Sequence, residues 1–463
     1  MKPSPPFSDP QPPNRRLTFR LGGAALLLVL LFWLIPRPSP NSTGRTTIPA
    51  AQSGPAPHSG RHPVPRILVR SGETADQSVA RRRLEFLRQQ REVLRAYARE
   101  LAVPVPPELE AFFDLAQSGS WDDIQRTYGE LSERVRNGEF PDEARALWPA
   151  VLEAYGVVEV THRWPAQSLL DYGQEVLGSL PPGTIFVGGT DAGRFIPTFL
   201  NSTEGNTHVV LTQNSLADQT YLQYAKFQYG DRINALTTED SSQAFRNYAE
   251  DAARRAQHDR QFPNEPKQLR PGETVEIRED GRTSMSGAVS VMAINEGLLQ
   301  MLMSKNPDMP FAMEESFPFE SVYGTATPNG PVLQLRADGT PPEITAERAQ
   351  ESVQYWRDRS ASLLADADVQ ATPEALTAWT KLAVAQADLL RDKHFPAEAE
   401  SLFQVAHQLA PGNVEVVSRY VDYLREQSRW QDAQKVVESL LLDSPNLDQF
   451  QQLLVELRAK ANP

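Results

Sequence analysis

The spacing of apolar positions along the chain changes twice. From Gly72 to about Trp164 it is helical: Leu84, Leu87, Leu94 and Leu101, with Phe86, Val93 and Tyr97 beside them, form one stripe. The opposite face carries Arg81-Arg82-Arg83 interleaved with Glu85, Glu92 and Glu100, which reads as a solvated face and not as a nucleic-acid contact. Gly119 and Trp121 then separate two amphipathic runs, and Gly138-Glu139-Phe140-Pro141 makes another break. Residues 71–164 are therefore expected to form a helical module.

Between Pro165 and Arg336 the apolar runs become short and β-rich: Thr184–Val187, His208–Thr212, Thr274–Ile277, Pro310–Met313 and Val332–Leu335. Helical patterns at Phe195–Leu200, Ala217–Tyr229, Ser242–His258 and Val289–Met303 separate several of them. Strands alternating with helices predict an α/β domain over 165–340 with a mainly parallel sheet. Glu279-Asp280-Gly281-Arg282 adds one antiparallel hairpin turn, and Ser284-Met285-Ser286-Gly287 is expected to cap the helix after it.

Residues 341–463 return to helical spacing and contain a repeat. Pro411 and Pro445 stand 34 apart, and so do Ala399 and Ala433, and Phe403 and Val437. That is the tetratricopeptide period, and AEAESLFQVAHQLAPGN followed by WQDAQKVVESLLLDSPN resembles that family in the second helix and closing loop. The first helices depart from the family pattern, with Ala387 and Val421 at its small position and Ala383 and Val417 at its aromatic one. The resemblance covers residues 380–446, with Leu447–Ala459 as a capping helix and the helix of Tyr355 and Trp356 packed against the repeats. It implies a module that binds a protein or peptide partner.

The N-terminus has a different character. Leu21 to Ile35 is an unbroken apolar run, and Leu17 to Arg20 extend it to the length of a membrane-spanning helix, with Trp33 at one interface. Pro36-Arg37-Pro38-Ser39-Pro40 offers no cleavage site, and Ile48-Pro49-Ala50 lies too far downstream, so an uncleaved anchor at 17–36 is expected over a signal peptide. Lys2, Arg15, Arg16 and Arg20 precede the core of the run, and only Arg37 and Arg45 closely follow it, which puts residues 1–16 in the cytoplasm and the rest outside. In a bacterium this is a single-pass inner-membrane protein with a periplasmic body. Residues 37–70, rich in Pro, Ser and Gly, read as a tether.

Composition narrows the chemistry. A net charge of −13 argues against a nucleic-acid partner, and the absence of cysteine excludes disulfides, thiol nucleophiles and thiolate metal sites. The seven histidines include no HExxH and none beside a GxSxG serine, so neither a metal nor a cofactor is expected. The most distinctive stretch is IFVGGTDAGRFIPTFL. Gly188 to Gly193 has phosphate-loop spacing, but Arg194 stands where that motif needs lysine and Phe195 where it needs a hydroxyl.

In a parallel sheet the loops at the strands' carboxyl ends share one edge. Gly189, Thr190, Asp191 and Arg194 follow the first strand there, Gln213, Asn214 and Asp218 the second, and Glu314 and Glu315 the strand at Pro310–Met313. As a pocket these groups would bind a sugar or a metal-bound oxygen, or do acid–base work. As structure they would be an ion pair of Asp191 or Glu314 with Arg194, plus a helix cap at Thr190 or Asp218. The two readings stand side by side.

The runs TIFVGGTDAGRFIPTFL, THVVLTQNSLADQTYL and MEESFP resemble the soluble region of bacterial multi-pass membrane proteins related to protein O-mannosyltransferases. Over about residues 180–320 the resemblance implies a periplasmic domain accompanying surface-glycan assembly, with Gly189, Asp191, Asn214, Asp218, Glu314 and Glu315 at the matching positions. The multi-pass catalytic part is absent, so transferase activity does not carry over. Two functions follow: an envelope scaffold or accessory protein with a partner-binding repeat, and a carbohydrate-active transferase or hydrolase using the strand-end carboxylates. Whether the chain is an enzyme is left open.

Overall fold

The computed structural model describes residues 70–189, 192–270, 272–277, 283–315 and 318–461. The expected anchor at 17–36 and nearly all of the tether lie outside them, as do Thr190, Asp191 and the turn Glu279–Arg282. Among the described residues no helix is long and apolar enough to cross a membrane.

The first module is α1 (Ala75–Glu100), α2 (Pro107–Ser118), α3 (Trp121–Arg136) and α4 (Trp148–Arg163). Thr74 starts α1 through a capping box with Gln77, and Ser120 caps α3 by accepting from the Asp123 amide. Phe86, Leu87, Leu94 and Tyr97 of the α1 stripe are buried. In α4, eleven of sixteen residues are buried, so this helix cannot be a one-sided surface helix. Val151, Ala154 and Val158 pack within the helical module, while Val157 and Val160 join the core that continues into the rest of the chain.

The α/β region continues with α5 (Ala166–Gly178), β1 (Ile185–Gly188), α6 (Ala192–Thr203), β2 (Val209–Thr212), α7 (Gln219–Tyr229) and α8 (Thr238–Gln261). A hairpin of β3 (Thr274–Ile277) and β4 (Thr283–Ser286), then α9 (Ala288–Lys305), leads to β5 (Phe311–Met313), β6 (Ala326–Asn329) and β7 (Val332–Leu335). The main sheet has the order β2-β1-β5-β7-β6. Strands β2, β1 and β5 run parallel and are buried along their whole length, as unbroken apolar runs require when both faces are covered.

The expected mainly parallel sheet is instead mixed. β7 is antiparallel to β5, and β6 is antiparallel to β7, so two of the four pairings are antiparallel. The chain reaches β6 in the same sense as β5 and then turns back through Gly330-Pro331, with Gly330 at φ +56°, so that β7 enters between them antiparallel to both. The expected cap at Ser284–Gly287 is also corrected: Ser284–Ser286 belong to β4, and Gly287 precedes α9 without a side-chain cap.

The C-terminal region is helical: α10 (Ala346–Ala365), α11 (Pro373–Asp392), α12 (Pro396–Leu409), α13 (Val414–Glu426), α14 (Trp430–Asp443) and α15 (Asp448–Ala461). The 34-residue repeat is written in the backbone. His394 after α11 and Ser428 after α13 both adopt left-handed φ, +65° and +57°. Each is followed by the same bond across the helix end, Phe395 amide to Leu390 carbonyl and Arg429 amide to Leu424 carbonyl, both 2.9 Å. Ala399, Ala433, Phe403 and Val437 are all fully buried.

The sheet and the repeat share one core. Thirteen of the twenty residues of α11 are buried, because it packs on β6 and β7 on one side and on α12 on the other. Gln386 on α11 sets the register of that contact. Its amide nitrogen donates to the carbonyls of Gly330 (2.7 Å) and Val332 (3.2 Å). Its oxygen accepts from Ser352 Oγ (2.7 Å) and Trp356 Nε1 (3.0 Å) of α10. Gln386→Leu strands these groups without partners and should lower the unfolding free energy by roughly 2–4 kcal/mol. Gln350→Ala, at an exposed position on α10, should change it by less than about 0.5 kcal/mol. Urea denaturation of both variants checks the contrast, and equal effects would contradict it.

Candidate functional site

The chain leaves β1 through α6 to β2 on one side, then returns through α7, α8 and α9 to β5 on the other side of β1. The carboxyl ends of β1 and β5 thus meet at a topological switch point, where open α/β sheets place their ligands. The ladder continues past β5, with the Glu314 amide donating to the Val187 carbonyl at 3.1 Å.

The Glu314 side chain turns into the glycine loop. Its Oε2 accepts from the Gly189 amide at 3.1 Å, and a Cβ on Gly193 would lie 1.4 Å from the same oxygen. Gly188 is equally confined, since a Cβ there would sit 2.6 Å from the Gly193 carbonyl oxygen. These glycines therefore admit a carboxylate belonging to the protein itself. It occupies the N-terminal end of α6, where the helix dipole favours negative charge and where a phosphate would otherwise sit. Tyr172 of α5 lies beside it, and burial followed by the Glu314 charge holds its phenol well above the usual range.

The other candidate side chains have separate duties. Arg194 on α6 is buried and pairs at 2.9 Å with Glu153 of α4. Glu153 also accepts from Gln90 (2.9 Å) and from the Tyr224 hydroxyl (3.0 Å), so one carboxylate joins α1, α4, α6 and α7. Asp218 caps α7 by accepting from the amides of Thr220 (2.8 Å) and Tyr221 (3.3 Å), and burial pushes its carboxyl up. Asn214 is half-buried in the single turn Gln213–Ser215 after β2.

Glu315 faces the helical repeat. Its carboxylate accepts from the Tyr323 hydroxyl at 2.9 Å and pairs with Arg419 of α13 at 3.0 Å. Arg419 in turn holds Asp388 of α11 at 2.8 Å and Glu415 at 2.6 Å. The structure therefore brings Gly189, Gly193 and Glu314 together, while the charged ends of Arg194 and Glu315 are engaged with other elements. Thr190 and Asp191 lie outside the described residues. Among those residues, no group of three or more His, Asp or Glu side chains is arranged to hold a metal ion.

Glu153, Arg419 and Asp388 were not singled out in the sequence. Two carried a signal: Glu153 stands in the apolar run WPAVLEAYGVV, and Asp388 in AVAQADLL. A charge inside a run that must be buried all round needs a partner.

A family model described as tetratricopeptide repeat matches residues 390–457, from the end of α11 into α15. No curated protein and no solved structure matches the chain. Repeats of this family generally bind protein partners, and the likeness suggests a protein-interaction module over these residues.

Two measurements test the assignments. Gly193→Ala should cost about 2 kcal/mol by forcing the Glu314 carboxylate from its seat, and much less in a Glu314→Ala background. Strict additivity in that double-mutant cycle would contradict the contact. Burial pushes the carboxyls of Glu315 and Asp388 up, with Arg419 opposing it. A carboxyl raised in the folded state stabilises the fold below its ordinary value near about 4 and loses that contribution as pH rises through the raised value. Arg419→Met removes the opposing charge, so its deficit should reach roughly 3–5 kcal/mol near neutral pH and shrink towards pH of about 5. A deficit independent of pH would show that these carboxylates are not what Arg419 neutralises.

Proposed function

We propose that this chain is a membrane-tethered scaffold or accessory protein of the bacterial envelope, whose periplasmic body presents a tetratricopeptide module to a protein partner. The match at residues 390–457 carries this reading. It is supported by the way the module is mounted. Gln386 and Arg419 join it to the sheet through buried polar contacts, so a partner held by the repeat would be held at a set orientation to the α/β body. The carboxylates that a sugar-processing site would use cap a helix, fill a glycine loop or neutralise Arg419, which favours scaffold over enzyme. The apolar run at 17–36 supports the tether, and the resemblance of residues 180–320 supports a link to surface-glycan assembly.

The test uses the full chain in the cells that make it. A photo-crosslinking residue at exposed positions of the repeat should give a discrete protein adduct in the membrane fraction, and one on the exposed face of α3 should not. A reporter active only in the periplasm, fused after Pro463, should be active. Absence of any repeat-specific adduct would sink the partner reading, and an inactive reporter would sink the location.

A further inference from the structure

The sheet-facing sides of α11 and α13 are occupied within the chain, by the β6–β7 hairpin and by Glu315. α12 lies in a second layer, against α11 on one side and α10 on the other. Between α10 and α12 runs an open groove of about 350 Å³, within the range of ligand-sized clefts. Leu364 and Val405 supply its apolar surface, and Ser401, Gln404 and Gln408 its neutral polar surface. Arg357 is the one charged residue lining it.

The state of Arg357 is unlike that of the arginines around it. Arg359 pairs with Glu175, Arg391 with Asp388, Arg419 with Glu315, and Arg429 with Glu400. Arg357 is exposed, and among the described residues its guanidinium has neither a carboxylate nor a hydrogen-bond partner. In a chain of net charge −13, acidic partners are plentiful, yet none lines this groove. Gln404 and Gln408 stand one turn apart along the same wall; the Gln404 nitrogen donates to Glu400 at 3.3 Å and its oxygen can accept from a peptide group, while the Gln408 amide can both donate and accept.

We propose that the groove between α10 and α12 receives a short acidic segment of the partner protein, with a carboxylate on Arg357, main-chain groups on Gln404 and Gln408, and a small apolar side chain against Leu364 and Val405. This rests on the partner-binding reading above and names the surface that performs it. Bidentate guanidinium–carboxylate pairing supplies the preference for acid, and the apolar surface supplies contact that is insensitive to salt.

The probes are a fluorescein-labelled octapeptide of alternating alanine and glutamate and its alanine–glutamine counterpart, titrated by fluorescence anisotropy into the full chain in detergent. The acidic peptide should bind roughly tenfold tighter or better. Arg357→Glu should abolish that preference, and Gln408→Trp, which fills the groove from an exposed position, should weaken binding of both peptides. Arg126→Glu, the same charge change at an exposed site on α3, should leave binding unchanged, and all three variants should melt as the parent does. Equal binding of the two peptides, no binding of either, or unchanged binding by Arg357→Glu overturns the proposal. Repeating the crosslinking with Arg357→Glu and Gln408→Trp separates the two readings: if repeat-specific adducts persist, the partner reading stands and this groove is not its seat.

Discussion

The architecture depends on a buried polar seam between the edge of the sheet and the first helix of the repeat. Apolar burial draws α11 onto β6 and β7 but does not say at which register, because the hydrophobic effect has no direction. Gln386 supplies the direction. Two carbonyls of the hairpin and two donors of α10 must reach one buried amide, and only one placement of the three elements satisfies them all. Arg419 repeats the constraint one repeat further along, gathering Glu315 from the end of β5 and Asp388 from α11. The same helix packs on both β6 and β7 at this end of the sheet.

The switch point of the sheet follows a different economy. Its glycine loop has the spacing of a phosphate cradle, and the helix behind it has the dipole of one, yet the anion present is Glu314. A side chain delivered by the neighbouring strand loses less freedom than a ligand from solution, and once seated it repels any second anion. The glycines therefore serve close internal packing. A similar use of charge appears at Glu153, which neutralises Arg194 and satisfies Gln90 and Tyr224 where the N-terminal helices meet the sheet domain. Side chains that the sequence offers to a ligand here join modules instead.

What the sequence by itself determined is local or periodic. The stripe of α1, the short buried strands and the 34-residue offset all depend on spacing within a few turns, and each reappears, down to matching left-handed residues at His394 and Ser428. The crowding around Gly188 and Gly193 was legible as a loop but not as to its occupant. The tertiary structure decided the strand order that turns a parallel sheet into a mixed one, and it decided which charges pair. Arg194 finds Glu153 across 41 residues, and Glu315 finds Arg419 across 104. With 59 acidic residues against 46 basic ones, most pairings are possible on paper. The low dielectric of a closed core selects among them, because there an unmatched charge costs far more than in water, and which charges are enclosed together is settled only when the whole chain has folded.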